Sequence, residues 1–163
     1  MNLLQPAELR RFAGLFTTGV GVVTTTAGAR SFGTTVNSVT SLSLAPPLYL
    51  VCLNNDSATL TAIRESRAFA LHFLGATQRE ISQVFAKKGD NKFDVIRFRP
   101  GFKKVPVIEG VLAFAECELL QEYPGGDHTI LIGRIESTQV HGGEPLIFHG
   151  GRYVSLGHEP QHA

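Results

Sequence analysis

Three groups of residues in this chain have types and spacings that can do chemistry. The first is a short run dense in hydroxyls with one amide: Thr34, Thr35, Asn37, Ser38, Thr40, Ser41 and Ser43. It ends at Pro46 and Pro47, and the apolar run Leu48 to Leu53 follows. Such side chains donate many hydrogen bonds without carrying charge. That suits a ligand with a flat apolar body and a rim of acceptors; an edge strand with solvated Ser and Thr is the competing reading. The second is His128, just after Gly125, Gly126 and Asp127 at the start of a strand-like stretch. An exposed imidazole at a pocket mouth can donate a hydrogen bond or shuttle a proton near neutral pH. Tied to Asp127, it would instead hold a turn. The third is residues 87 to 104, where Lys87, Lys88, Lys92, Arg97, Arg99, Lys103 and Lys104 face only Asp90 and Asp94. This is a solvated loop or a docking surface for anionic phosphates. Nucleic acid is disfavoured, because no recognised binding motif interleaves the basic residues.

Several other chemistries are absent. No Gly-x-Gly-x-x-Gly follows a strand, no Gly-Lys-Ser/Thr phosphate loop occurs, and there is no Gly-x-Ser-x-Gly elbow. The six histidines do not fall at metal-ligand spacing; His158 and His162 are four apart but sit at the end of the chain. No metal site is expected. Cys52 and Cys117 each lie in an apolar run and are expected as small buried residues rather than a disulfide pair.

The elements that must position these groups belong to one domain over residues 1–163, with a core of about 12–156 and a loose tail at 157–163. Charged residues are 18% and apolar residues 43%, the balance of a packed globule rather than a disordered chain. The net charge of +1 exerts no global pull on nucleic acid or membrane. No signal peptide is legible, and no stretch nears the roughly 18 apolar residues of a membrane span. A cytoplasmic location is expected. Low charge and many glycines hint that a second subunit covers part of the surface.

In chain order, Pro6 to Thr18 has the period of a helix, with Leu9, Phe12, Ala13 and Phe16 on one face and Gly19 as its cap. Val20 to Thr26 and Phe32 to Ser43 form a hairpin around a turn at residues 27–30. Leu48 to Leu53 is a buried strand. Ser57 caps a short helix to about Glu65, with Leu60 and Ile63 inward. Phe69 to Leu74 is a strand. Thr77 and Glu80 form a capping box for a helix through Ala86. Val111 to Glu122, His128 to Val140, Leu146 to His149 and Arg152 to Leu156 complete the strands. Short strands joined by turns, without strand–helix alternation, predict a mainly β, antiparallel barrel with short peripheral helices.

The chain also resembles the flavin reductase-like domain family, the short reductases that serve two-component flavin-dependent monooxygenases. The resemblance rests on residues 16–24, 33–47 and 57–59, on Phe85-Ala86, on Gly126-Asp127-His128 with Gly133, and on Pro145-Leu146 through Gly151 and Tyr153. It implies a homodimeric split β-barrel of Greek-key type that binds FMN or FAD and is reduced by NADH or NADPH. On these positions it implies that Thr35, Val36, Asn37 and Ser38 hydrogen-bond the flavin ring and ribityl chain. Cys52, Leu53 and Asn54 would line the isoalloxazine. Ser57 and Thr59 would hold phosphate at a helix start. Phe85, Ala86 and Lys87 would close over the flavin tail. His128, as the catalytic residue, and Tyr153 would flank the nicotinamide. Asn37 stands where many members have Ser. The implied activity is hydride transfer from NAD(P)H to flavin, supplying reduced flavin to a partner monooxygenase. The alternatives are a protein of the same fold that keeps its flavin and reduces another acceptor, or a non-catalytic sensor or electron carrier.

Overall fold

The computed structural model describes residues 5–89 and 91–157. In chain order it contains α1 (Pro6–Gly14), β1 (Thr18–Gly19), β2 (Gly21–Ala27), β3 (Arg30–Val36), β4 (Val39–Leu44), β5 (Pro47–Asn54), α2 (Ala58–Ser66), β6 (Ala68–Phe73) and α3 (Arg79–Ala86). There follow β7 (Phe98–Pro100), β8 (Pro106–Ile108), β9 (Ala113–Gly125), β10 (His128–Val140), β11 (Ile147–His149) and β12 (Arg152–Val154). Short 3-10 turns at Asn91–Asp94 and Phe102–Lys104 flank β7.

Seven strands make one sheet in the order β3-β2-β6-β9-β10-β5-β4, and each neighbouring pair is antiparallel. Only Asn37 and Ser38 separate β3 from β4, the two outer strands. The sheet therefore curls until its edges approach at those two residues, and the result is a β-barrel split along that seam. β11 lies between β1 and β12 in a small second sheet that brings residues 147–154 back to the barrel.

The burial pattern explains the sequence pattern. Val22, Val23, Thr24 and Thr25 of β2 and Ala68 to His72 of β6 are all buried, so these strands are covered on both faces and read as continuous runs. One face packs Val23, Phe69, Leu71 and Leu131 under Leu60 and Ile63 of α2. The other packs Val22, Ala70 and Phe114 under Phe85, Val105, Val107 and Ile108. The buried Glu116 carboxylate fastens the latter cover: it accepts hydrogen bonds from the Phe102 N–H and the Ser137 hydroxyl. A Cβ on Gly101 would lie 1.9 Å from Glu116 Oε1, so only glycine lets the chain pass that carboxylate.

Gly133 has a similar role in β10. A Cβ there would lie 2.4 Å from Phe69 Cζ and 3.0 Å from Cys117 Cβ, beside a register shift against β9. The Phe69 ring is fully buried and cannot retreat. Gly133→Ala is expected to destabilise the fold by about 2 kcal/mol through overpacking, read as a lower urea midpoint; an unchanged midpoint would contradict this contact.

Several expectations are corrected. The first helix stops at Gly14 rather than Thr18, with Leu15 rather than Gly19 at its C-terminal cap, and no residue of it is buried. Its apolar residues are largely uncovered by the described residues: Phe12 is 79% and Leu9 49% exposed, and Phe16, just beyond the helix, is 79% exposed. The Phe32 to Ser43 strand is two strands, broken at the seam. The capping box at Thr77 does not form; Gln78 holds the N-cap position of α3, and its side chain accepts from Gly75 N–H and donates to Gly110 O. The basic stretch contains β7 and two 3-10 turns rather than plain loop. The strand expected over Val111 to Glu122 starts at Ala113 and runs on to Gly125. Cys52 and Cys117 are free thiols; Cys117 is buried, but Cys52 only partly so. The expected loose tail lies, apart from Gly157, outside the described residues.

Candidate functional site

Three cavities meet at the seam between β3 and β4. A cavity of about 280 Å³ is lined by Thr34, Thr35, Val36 and Asn37 on one side and by Val20, Ser82, Ala86, Phe148 and Tyr153 on the other. A second, of about 190 Å³, uses the same Thr34–Asn37 wall and adds Ser38, Cys52, Leu53, Asn54, Ser57 and His128. A third, of about 290 Å³, shares Val20, Val36 and Asn37 and runs toward Thr18, Tyr49 and Phe73. The exposed Asn37 borders all three, and its side chain makes no hydrogen bond to a described residue. Thr18 adds to the third cavity a buried hydroxyl without a partner among the described residues.

The hydroxyls along the wall do more structural work than their sequence suggests. Thr35 Oγ1 donates to Ser82 O at 2.6 Å, tying β3 to α3. Ser82 Oγ in turn lies 2.8 Å from the Tyr153 hydroxyl. Ser38 Oγ donates to Cys52 O at 2.9 Å, and Cys52 N–H donates to Ser38 O. These two protons are committed to the barrel, so the Asn37 amide and the Thr34 hydroxyl are the wall's donors without a partner among the described residues. Val36 and Leu53 are buried and give the wall an apolar body. Burial pushes the Cys52 thiol above its ordinary pKa, which keeps it neutral.

His128 is placed by a local network. Asn54 Oδ1 accepts from Asp56 N–H, Thr129 Oγ1 donates to Asn55 Oδ1, and Asn55 Nδ2 donates to Gly126 O. These bonds lock the 54–57 loop to the tip of the β9–β10 hairpin and set His128 opposite Asn54. His128 Nδ1 lies 2.7 Å from Asp127 Oδ1, and that hydrogen bond, with the charge of the imidazole when protonated, holds the Asp127 carboxyl below its usual range. His128 is therefore tied to Asp127 and also lines a cavity. With Nδ1 facing the carboxylate, Nε2 is the atom left for a ligand.

A third feature lies beyond Ser57. Ser31, Phe32, Gly33, Ala58, Thr59, Gly89, Lys92 and Phe93 enclose a small hollow at the start of α2. Ser57 occupies the N-cap position, but its hydroxyl makes no capping bond. Thr59 is only 4% exposed, and its hydroxyl has no partner among the described residues. Lys92 Nζ donates to Gly33 O at 2.9 Å and Phe85 O at 3.2 Å, which holds its charge beside the hollow. An uncapped helix start, an unpartnered hydroxyl and a fixed ammonium make a cradle for an anion.

The structure brings Thr35, Val36, Asn37, Ser38, Cys52, Leu53, Asn54, Ser57 and His128 around one cavity. It puts Ala86 and Tyr153 on the neighbouring one, so His128 and Tyr153 meet only through their common wall. Thr59 belongs to the anion cradle. Phe85 is fully buried beneath Gly33, where a Cβ would strike its ring at 2.5 Å, and so supports the site from the core. Lys87 is exposed just after α3. Sequence reasoning missed Val20, Ser82 and Phe148, which carry no polar pattern of their own. It counted Lys92 only within the basic run. Among the described residues no three His, Cys, Asp or Glu side chains gather as a metal site; His158 and His162 lie outside them.

An antiparallel barrel with an uncharged, hydroxyl-bearing cleft and a basic hollow beside it has room and donors for a flat ligand that carries phosphate. The chain belongs to the flavin reductase like domain family, which matches residues 13–157. It is 40% identical over 146 residues to an FMN reductase (NADH) of Agrobacterium fabrum, covering 90% of this chain and 83% of that one. It is 35% identical over 155 residues to the reductase component of a 4-nitrophenol 4-monooxygenase/4-nitrocatechol 2-monooxygenase of Rhodococcus opacus, covering 93% and 83%. Its fold superposes with a TM-score of 0.90 on the Streptomyces globisporus NADH:FAD oxidoreductase solved with NAD and FAD fragments, at 34% identity and full coverage of both chains.

Proposed function

We propose that the chain is an NAD(P)H:flavin oxidoreductase that reduces FMN or FAD and supplies the reduced flavin to a partner monooxygenase. The observation that carries this reading is the seam cleft with the basic hollow beside it, which together offer an apolar wall, neutral donors and a phosphate seat. A bound flavin would accept a hydride from the nicotinamide. The protein's own part is binding and orientation. The Thr35–Ser38 wall, with the Asn37 amide as its unengaged donor, faces the ring and would stabilise negative charge growing there. Cys52, Leu53 and Asn54 line the ring. Ser57 and Thr59, aided by Lys92, hold phosphate. Ala86 and Lys87 close the tail side over the buried Phe85. Tyr153 would flank the nicotinamide, and His128, on the adjoining cavity, would stand at the flavin ring.

Among the described residues no Lys or Arg lines the two cavities that share the Thr34–Asn37 wall, which supports a flavin that leaves after reduction rather than one retained. The chain also has an apolar surface that a second copy would cover, making a homodimer. Leu44 is 91% exposed and Val140 76% exposed, and Val140 lines an apolar hollow with Leu112, Pro145 and Leu146.

The test is NADH and NADPH oxidation by the purified protein, with and without added FMN or FAD. Turnover that rises with free flavin is the expected result. Turnover without added flavin would move the reading to an oxidoreductase that keeps its flavin. Flavin binding with no oxidation would leave a binding module and overturn the enzyme.

A further inference from the structure

The cavity that holds Tyr153 shares the Thr34–Asn37 residues with the cavity that holds His128, and the hollow at Ala58 and Thr59 is lined by neither Tyr153 nor Phe148. A flavin whose phosphate sits in the cradle leaves the Tyr153 cavity for the second substrate. Phe148 and Tyr153 form its aromatic end, with ring centroids 5.6 Å apart in a T-shaped pair. The Tyr153 hydroxyl is fixed by Ser82, itself fixed by Thr35. Over the Tyr153 ring, 5.0 Å from its centroid, lies the guanidinium of Arg79, the first residue of α3. Arg79 is exposed and makes no hydrogen bond or ion pair with any described residue. An arginine stacked on an aromatic wall keeps its fork of N–H donors turned outward, and such a fork matches a phosphate.

We infer that Arg79 binds the phosphate-bearing part of the nicotinamide dinucleotide at the rim of the Tyr153 cavity and contributes to its selection over other hydride donors. This rests on the reductase reading. The chemistry required is a flat heterocycle joined to a phosphate. The two candidate phosphates are the pyrophosphate, common to NADH and NADPH, and the 2′-phosphate of NADPH alone.

The test compares wild type, Arg79→Gln and Arg79→Lys at saturating flavin. Arg79 is exposed, so neither variant threatens the fold. Arg79→Gln is expected to raise KM for the dinucleotide roughly tenfold, the effect of one charge-assisted hydrogen bond at a wet rim. kcat and KM for flavin should stay within about twofold of wild type. Arg79→Lys should restore part of the loss, because it keeps the charge but not the fork. Equal rises for NADH and NADPH assign the pyrophosphate; a rise confined to NADPH assigns the 2′-phosphate. An unchanged dinucleotide KM, or a rise in flavin KM instead, overturns the inference. Calorimetric binding of NAD+ and NADP+ to the same three proteins needs no turnover. If wild type binds a dinucleotide without oxidising NAD(P)H, the reductase reading fails while the Arg79 comparison still decides this inference. If wild type binds neither, both fall.

Discussion

His128→Ala is expected to lower the kcat of flavin reduction about 100-fold, with KM for flavin changed no more than a few-fold. General acid catalysis or positioning by an imidazole is worth roughly 10²–10⁴ in rate, and the solvent-touched place of His128 puts the expectation at the lower end. Its side chain is 44% exposed, so truncation opens no cavity in the core. What disappears is the Nε2 atom at the cavity wall. Asp127→Asn keeps His128 in place but removes the carboxylate that accepts from Nδ1. It is expected to cost less, about tenfold. The two substitutions together should cost little more than His128→Ala alone, because Asp127 acts only through His128. Single-turnover reduction, followed by loss of flavin absorbance, separates the chemical step from binding. A rate for His128→Ala equal to wild type would remove His128 from the reaction and leave it the turn-holding role alone.

What could be read from the sequence was whatever has a period or a punctuation mark. The apolar strands at residues 48–53, 69–74 and 128–140, the helix starting after Ser57, and the tip at Gly126 were legible because burial and turn geometry restrict residue type locally. The order of elements was enough for an antiparallel barrel. The break at Asn37 and Ser38 was not legible. It arises because the two sheet edges must meet there, a long-range condition that leaves no period. The apolar face of α1 was legible from its spacing, but its exposure was not, because an apolar stripe does not say what covers it. At the site, the hydroxyl run pointed to the right wall but not to the bonding. Thr35 and Ser38 look like ligand donors in one dimension; in three, their protons go to Ser82 O and Cys52 O. Ser82, Phe148 and Arg79 come from α3 and the last strands, and only the fold brings them beside residue 35.

Acid is expected to unfold this protein through His72, which no sequence pattern distinguished. His72 is fully buried; its Nδ1 lies 3.0 Å from Val22 O, and Ile108 N–H donates to its Nε2 at 3.0 Å. One ring nitrogen must donate and the other accept, so the folded state holds the neutral ring with its proton on Nδ1. Burial lowers its pKa to about 4, against smaller opposing effects of the Val22 carbonyl and the Glu116 carboxylate. The unfolded chain takes up a proton near the ordinary value of about 6.5. The unfolded state therefore binds more protons between those two values, and stability falls as pH is lowered through that window. The contribution is intact above pH ~6.5 and is lost progressively down to about pH 4, amounting to about 3 kcal/mol. His72→Gln keeps one donor and one acceptor but does not titrate. Urea unfolding at several pH values should show the wild type losing about 3 kcal/mol more than the variant between pH 7 and pH 4, and parallel curves would refute the role. The bridge matters to the site as well. His72 ties β6 to β2 and β8 beside Val20, whose carbonyl accepts from Leu74 N–H and whose side chain lines two of the seam cavities. Protonating one buried ring would therefore loosen the strand that forms the cavity floor, so in wild type the loss of dinucleotide binding in acid should follow the unfolding curve.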